Sequence, residues 1–173
     1  MAAPLLNENE LRFLRALLRR KVRFIVVGLS AAALQGAPVV TQDVDLWFED
    51  LNDPRIREAL REVNAAYVAP SHLNPPMFAG GGVELFDIVL TLHGLDTFSE
   101  ELRNCVAVPL GRQKLKVLSL ERILASKRAA NRVKDRLVIP VLEDTLVANE
   151  VAVQRRKGKP SATRKRKKRK APR

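Results

Sequence analysis

Between Phe24 and Phe48 the chain packs two strands, two glycine turns and a pair of acids into a short span, and this stretch most constrains the fold. Phe24-Ile-Val-Val27 is a run of β-favouring apolar residues. Gly28 ends it, and Ser30–Leu34 reads as a short small-residue helix stopped by Gly36 and Pro38. A second strand follows over Asp43–Phe48. Strand side chains alternate, so Asp43 and Asp45 share one face while Val44 and Leu46 take the other. Neighbouring carboxylates repel unless a cation lies between them, and a divalent metal is the usual answer. A solvated strand end needs no metal, so these two residues alone leave both readings open.

The surrounding chain alternates in the same way. Asn7 or Asn9 caps a first helix carrying Leu11, Leu14, Leu17 and Leu18 at helical spacing, with Arg19–Lys21 at its C-terminus. Asp53 and Pro54 start another helix, predicted to reach Tyr67. Pro70–Gly82 is expected to be an irregular loop. Val83–Leu92 reads as a mostly buried strand, and Thr97-Phe-Ser-Glu100 has capping-box spacing. Cys105–Pro109 and Gln113–Val117 are predicted to form a hairpin or two edge strands. Ser119 caps a helix through Ala130, and a last helix runs from Lys134 to Val151 across Pro140, where it kinks or restarts. This order predicts an α+β (α/β) domain with a mixed sheet packed against helices.

Charge divides the chain in two. The net charge is +12, yet residues 1–153 balance, because from Gln154 onward there are twelve Lys and Arg and no acid. We expect one domain over residues 1–153 and a disordered basic tail over 154–173. The runs Arg155-Arg-Lys157 and Arg164–Lys170 suit salt-dependent contact with RNA or DNA phosphates, with no interleaved aromatics for base stacking. Cys105 is alone, which excludes an intramolecular disulfide and a Cys-rich zinc site. His72 and His93 are too far apart for a His-based metal motif. No apolar run is long enough to span a membrane and Met1–Leu6 does not read as a signal peptide, so a soluble, cytoplasmic protein is expected.

A third acid completes the pattern. Asp87 sits within Leu85-Phe86-Asp87-Ile88-Val89, where a carboxylate among bulky apolar residues needs a partner. That partner is a metal or a core cation. Gly28-Leu-Ser30, then Thr41-Gln-Asp43-Val-Asp45-Leu46, then Asp87 resemble the active-site signature of the DNA polymerase β nucleotidyltransferase superfamily. The resemblance is closest to the minimal and abortive-infection-type bacterial members. Val117-Leu-Ser-Leu-Glu121 through Lys127, Arg132, Lys134 and Asp135 is similar to the helical segment that follows their catalytic sheet, and the likeness covers about residues 22–145.

The resemblance implies a metal-dependent enzyme that moves a nucleoside monophosphate from an NTP to a hydroxyl of RNA or tRNA, a protein side chain or a small molecule. Asp43, Asp45 and Asp87 would hold Mg²⁺ or Mn²⁺, with Asp87 also helping to deprotonate the acceptor. Gly28, Ser30 and Thr41 would lie at the nucleotide, and Lys127, Arg132 and Lys134 would neutralise its phosphates. Two departures fall on phosphate binding: Leu29 separates Gly28 from Ser30, and Val39 and Val40 stand where a basic residue often precedes the Thr-x-Asp segment. Two other functions fit the sequence. One is a non-catalytic nucleic-acid-binding protein on the same fold; the other is the toxin of a toxin–antitoxin pair with an antitoxin-type protein partner. Asp135 reads as a helix cap or ion-pair partner, Trp47 as a core residue, and His72 and His93 as loop residues.

Overall fold

A computed structural model describes residues 6–157. Helix α1 (Glu8–Arg19) begins in a full capping box, in which the Asn7 side chain accepts from the Glu10 N–H and the Glu10 carboxylate accepts from the Asn7 N–H. Strand β1 (Phe24–Val27) is buried throughout and passes directly into α2 (Gly28–Leu34). Next come β2 (Val44–Phe48) and α3 (Pro54–Arg61), the latter capped by the Asp53 side chain. Strands β3 (Ala66–Val68), β4 (Met77–Ala79) and β5 (Phe86–Val89) precede α4 (Phe98–Glu101), which opens on the expected Thr97 capping box. The hairpin β6 (Cys105–Leu110) and β7 (Gln113–Leu118) leads into α5 (Leu120–Ala130) and α6 (Val133–Lys157).

The strands form one mixed seven-stranded sheet in the order β3-β4-β5-β2-β1-β7-β6. Strand β2 runs antiparallel to β1 and parallel to β5, and β1 runs parallel to β7. On one face Phe13 of α1 meets the rings of Phe78 and Phe86 at 5.3 and 5.5 Å, and Phe48 meets Phe78 edge-on. Full burial of a ring such as Phe13 contributes roughly 2–3 kcal/mol. The other face lies under α2 and α5, with Trp47 packed edge-on against Phe98 at 5.4 Å as a core residue.

Four expectations need correction. The helix predicted to reach Tyr67 stops at Arg61, because Asn64 takes φ +57° and the N–H of Ala65 returns to Leu60 O, turning the chain into β3. The segment 70–82 is not wholly irregular, since Met77–Ala79 pairs with β3 on one side and, at Met77, with β5 on the other. The strand predicted over Val83–Leu92 is confined to Phe86–Val89. Helix α6 starts at Val133, continues through Pro140 and runs to Lys157, past the end expected at Val151; residues 158–173 of the basic tail lie outside the described residues. Among the described residues no helix is long and apolar enough to cross a membrane.

Candidate active site

The parallel register of β2 and β5 sets Asp45 directly opposite Asp87. Opposed residues stand on the same face, so the two carboxylates are neighbours on the side under α2 and α5. Asp43, just before β2, joins them on the wall of a cavity of about 500 Å³, a size that suits a nucleotide. Asp45 lies partly buried while Asp43 and Asp87 are exposed. Burial, then the charges of Asp87 and Asp43, push the Asp45 carboxyl up to about 6, with Lys127 and Lys134 pulling the other way. Asp87 is raised as well, first by burial and then by Asp43. These groups resist ionising together, as carboxylates built to share a cation do.

Among the described residues no three acids, histidines or cysteines form a ready-made ligating cluster. Asp43, Asp45 and Asp87 all line the one cavity. The donor set nevertheless suits a hard divalent ion, since it offers only carboxylate oxygens.

Gly28 is required here for two reasons. Its φ of +66° is left-handed, and a Cβ would fall 2.0 Å from Asp45 Oδ2. The absent side chain is the space that the Asp45 carboxylate occupies. Gly28→Ala should lower stability by only about 1 kcal/mol, the cost of a left-handed alanine, because the carboxylate can swing away. Thermal melting of the variant beside the wild type checks this.

Ser30 departs from expectation. It is only 2% exposed, and its hydroxyl donates to Val27 O (2.9 Å) while accepting the Asp45 backbone N–H (3.3 Å). It is therefore not available to a phosphate. It ties the end of β1 to β2 and holds Asp45 in place. Thr41 does line the cavity, its hydroxyl donating to the Asp43 carbonyl at 3.0 Å.

Opposite the acids, α5 and the start of α6 present Lys127, Arg132 and Lys134 to the cavity. Asp135, with its side chain fully buried, organises two of them. Its carboxylate accepts from Lys127 Nζ at 3.0 Å, from Arg132 Nε at 2.6 Å and from the Arg132 backbone N–H at 3.2 Å. Those bonds, led by Arg132, hold the Asp135 carboxyl well below the usual range. Asp135 is thus both the ion-pair partner and the helix-start cap that its sequence position suggested. His93 lies in a loop, as read from the sequence, but it also lines the cavity, and nothing local in the sequence signalled that. Cys105 is half-buried, and burial pushes its thiol up to about 11, which keeps it protonated and inert.

No family model matches the chain, and no curated protein matches it in sequence. Solved structures do match. ANT(2'')-Ia in complex with adenylyl-2''-tobramycin superposes with a TM-score of 0.53 at 15% identity, over 84% of this chain and 92% of that one. The solution structure of the antibiotic-resistance factor ANT(2'')-Ia gives 0.53 at 16% identity, over 84% and 86%. The fold is nucleotidyltransferase-like. An antigenic nucleotidyltransferase-like protein from Paracoccidioides brasiliensis aligns at a TM-score of 0.45 and 17% identity, over 88% of this chain and 91% of that one. At 15–16% identity the two ANT(2'')-Ia structures show a shared fold and nothing finer. Within that nucleotidyltransferase-like fold, Asp45 and Asp87 lie on the central strands β2 and β5 with Asp43 just before β2, and Lys127 on α5, Lys134 on α6 and Arg132 between the two helices face the same cavity.

Proposed function

We propose that this protein is a nucleotidyltransferase that moves a nucleoside monophosphate from an NTP to a hydroxyl acceptor. The observation that carries this reading is the in-register pair Asp45–Asp87, joined by Asp43 on one cavity wall and faced by Lys127, Arg132 and Lys134 on the other. An adenylylated product bound to a protein of the same fold supports the same class of chemistry. The motif order, from Gly28-Leu-Ser30 to Asp135, resembles that of the minimal and abortive-infection-type enzymes and supports reading the chain as one of that kind.

Asp43, Asp45 and Asp87 would hold Mg²⁺ or Mn²⁺. When bound, such a cation neutralises the phosphates and polarises the α-phosphorus. The chain's own groups do the rest. Gly28 lets the backbone approach the nucleotide closely. Lys127, Arg132 and Lys134 balance the charge of the triphosphate and of the departing pyrophosphate. Asp87, the more exposed of the paired acids, takes the acceptor's proton as the hydroxyl oxygen bonds to the α-phosphorus and the bond to the β-phosphate breaks.

The test is incubation with α-³²P-labelled NTPs, Mg²⁺ and hydroxyl acceptors from RNA, peptide and small-molecule classes. Label transferred by the wild type and not by Asp87→Asn supports the proposal. Absence of any labelled product from the wild type, or an unimpaired Asp87→Asn variant, contradicts it.

A second reading rests on the Gly28–Ser30 turn. With Leu29 inserted and the Ser30 hydroxyl spent internally, this turn offers no side-chain donor to a phosphate. A non-catalytic protein that grips nucleic acid through its basic C-terminal sequence follows from that feature. It would bind RNA in a salt-dependent way and show no Mg²⁺-dependent affinity for NTPs.

A further inference from the structure

Helix α6 is apolar on two opposite sides. Asp135, Leu142 and Thr145 turn inward and are buried. Val133 and Val151 each lie nine residues from Leu142 and so, at about 100° per residue, point directly away from it. That outward side carries Val133, Leu137, Pro140, Asp144, Val147 and Val151, which recur at alternating steps of four and three residues, the spacing of a helix–helix seam. Val133, Leu137, Val147 and Val151 are 67%, 74%, 60% and 41% exposed, and among the described residues no other element covers them. The outer face of a surface helix is normally polar, and this one is not.

The seam is also symmetrical. Val133 and Val151 stand nine residues either side of Leu142, and Leu137 and Val147 stand five. A second α6 laid antiparallel, with a two-fold axis level with Leu142, therefore sets Val133 against Val151 and Leu137 against Val147. Charge follows the same symmetry. Arg136 and Glu150 are both exposed and lie on one flank of the seam, and among the described residues the ion pairs of α6 use Asp135 and Glu143 and leave these two free. In the antiparallel pair, Arg136 of one copy lies level with Glu150 of the other to within about 3 Å along the helix axis. Glu143, on that flank near the two-fold axis, is neutralised by Arg128 of its own chain. A parallel pair would set Arg136 against Arg136 and Asp144 against Asp144, whereas the antiparallel one faces Asp144 with Pro140.

We propose that the outer face of α6 pairs with the same face of a second copy of this chain, giving an isologous antiparallel dimer in solution. Matched spacing about Leu142, and an Arg136 that meets Glu150, are what a self-complementary surface needs and what an unrelated partner does not. Pairing through this face needs neither nucleotide nor metal. Its cost falls on Asp144, whose two copies flank the axis within an otherwise apolar seam. A charged residue at such a position specifies orientation while lowering affinity, so removing that charge strengthens the pair.

Sedimentation equilibrium of the full chain over a wide concentration range tests this. The expected result is a reversible equilibrium between monomer and dimer. Leu137→Glu and Val147→Glu, both at exposed positions, should raise its dissociation constant about tenfold or more while circular dichroism shows the wild-type fold. Arg136→Glu and Glu150→Arg should each weaken the dimer about threefold, and the double variant should restore it. Asp144→Asn should tighten it. A chain that stays monomeric at millimolar concentration overturns the proposal, as does a dimer whose dissociation constant is the same in the wild type, Leu137→Glu and Val147→Glu. A double charge-swap variant that dimerises no better than either single one overturns the antiparallel pairing.

Discussion

Replacing Asp45 with Asn should sharply reduce the proposed transfer and at the same time make the metal-free protein more stable at neutral pH. Most substitutions of a partly buried, hydrogen-bonded strand residue destabilise. Asp45 differs because its fold opposes its charge. In the unfolded chain its carboxyl ionises near 3.8, while in the folded protein burial and the nearby Asp87 and Asp43 hold the proton on until about 6. Between those values the folded state binds more protons than the unfolded one, so stability falls as pH rises across the window and stays reduced above it. A shift of about two units corresponds to about 2–3 kcal/mol. Asp45→Asn removes that charge, so its melting temperature should exceed that of the wild type above about pH 6 and converge with it near pH 4. Mg²⁺ should raise the melting temperature of the wild type and leave the variant unmoved. Transfer should fall about a thousandfold or more, the effect of losing several kcal/mol of charge stabilisation at the reacting phosphate. An Asp45→Asn variant less stable than the wild type at pH 7.5 without metal would show that the site is not under this electrostatic load.

Asp135→Asn should act in the opposite direction. This carboxylate is fully buried and accepts from Lys127 and Arg132, so its removal leaves Lys127, itself mostly covered, without its partner. Loss of one member of a buried ion pair costs about 3–5 kcal/mol. Arg132 is half exposed and can turn to water, which puts the expected loss near the lower end, about 3 kcal/mol, or about 10 °C in melting temperature. The pH dependence carries the sign of a depressed carboxylate. Its contribution is complete above the ordinary range near 3.8 and is lost as pH falls below it. Denaturant melts at pH 7 and pH 3 test both parts: the gap between wild type and variant should be wide at the first and narrower at the second.

The two acids differ in how far the sequence revealed their roles. Strand periodicity alone puts Asp43 and Asp45 on one face, and an isolated acid among Leu85, Phe86, Ile88 and Val89 stands out without any structure. The helix starts were legible for a similar reason, since Asn7, Asp53 and Thr97 act within a few residues of themselves. What escaped were features fixed by distant parts of the chain. The Ser30 hydroxyl is taken up by the Asp45 backbone, and no local rule reports that pairing. Strands β3 and β4 are three residues each and owe their existence to pairing with each other and with β5. That pairing converts an apparent proline–glycine loop into part of the sheet. Asp135 was recognisable as a cap or ion-pair partner, but its place on the cavity wall depends on how α6 packs against α5.

Asp43, Asp45 and Asp87 are proposed to form one cation-dependent nucleotide site. Calorimetric titration of each NTP into the full chain, with and without Mg²⁺, tests that most directly. The prediction is saturable binding of at least one NTP only when Mg²⁺ is present, lost in Asp45→Asn. NTP binding of equal strength without metal, or retained in that variant, would contradict it.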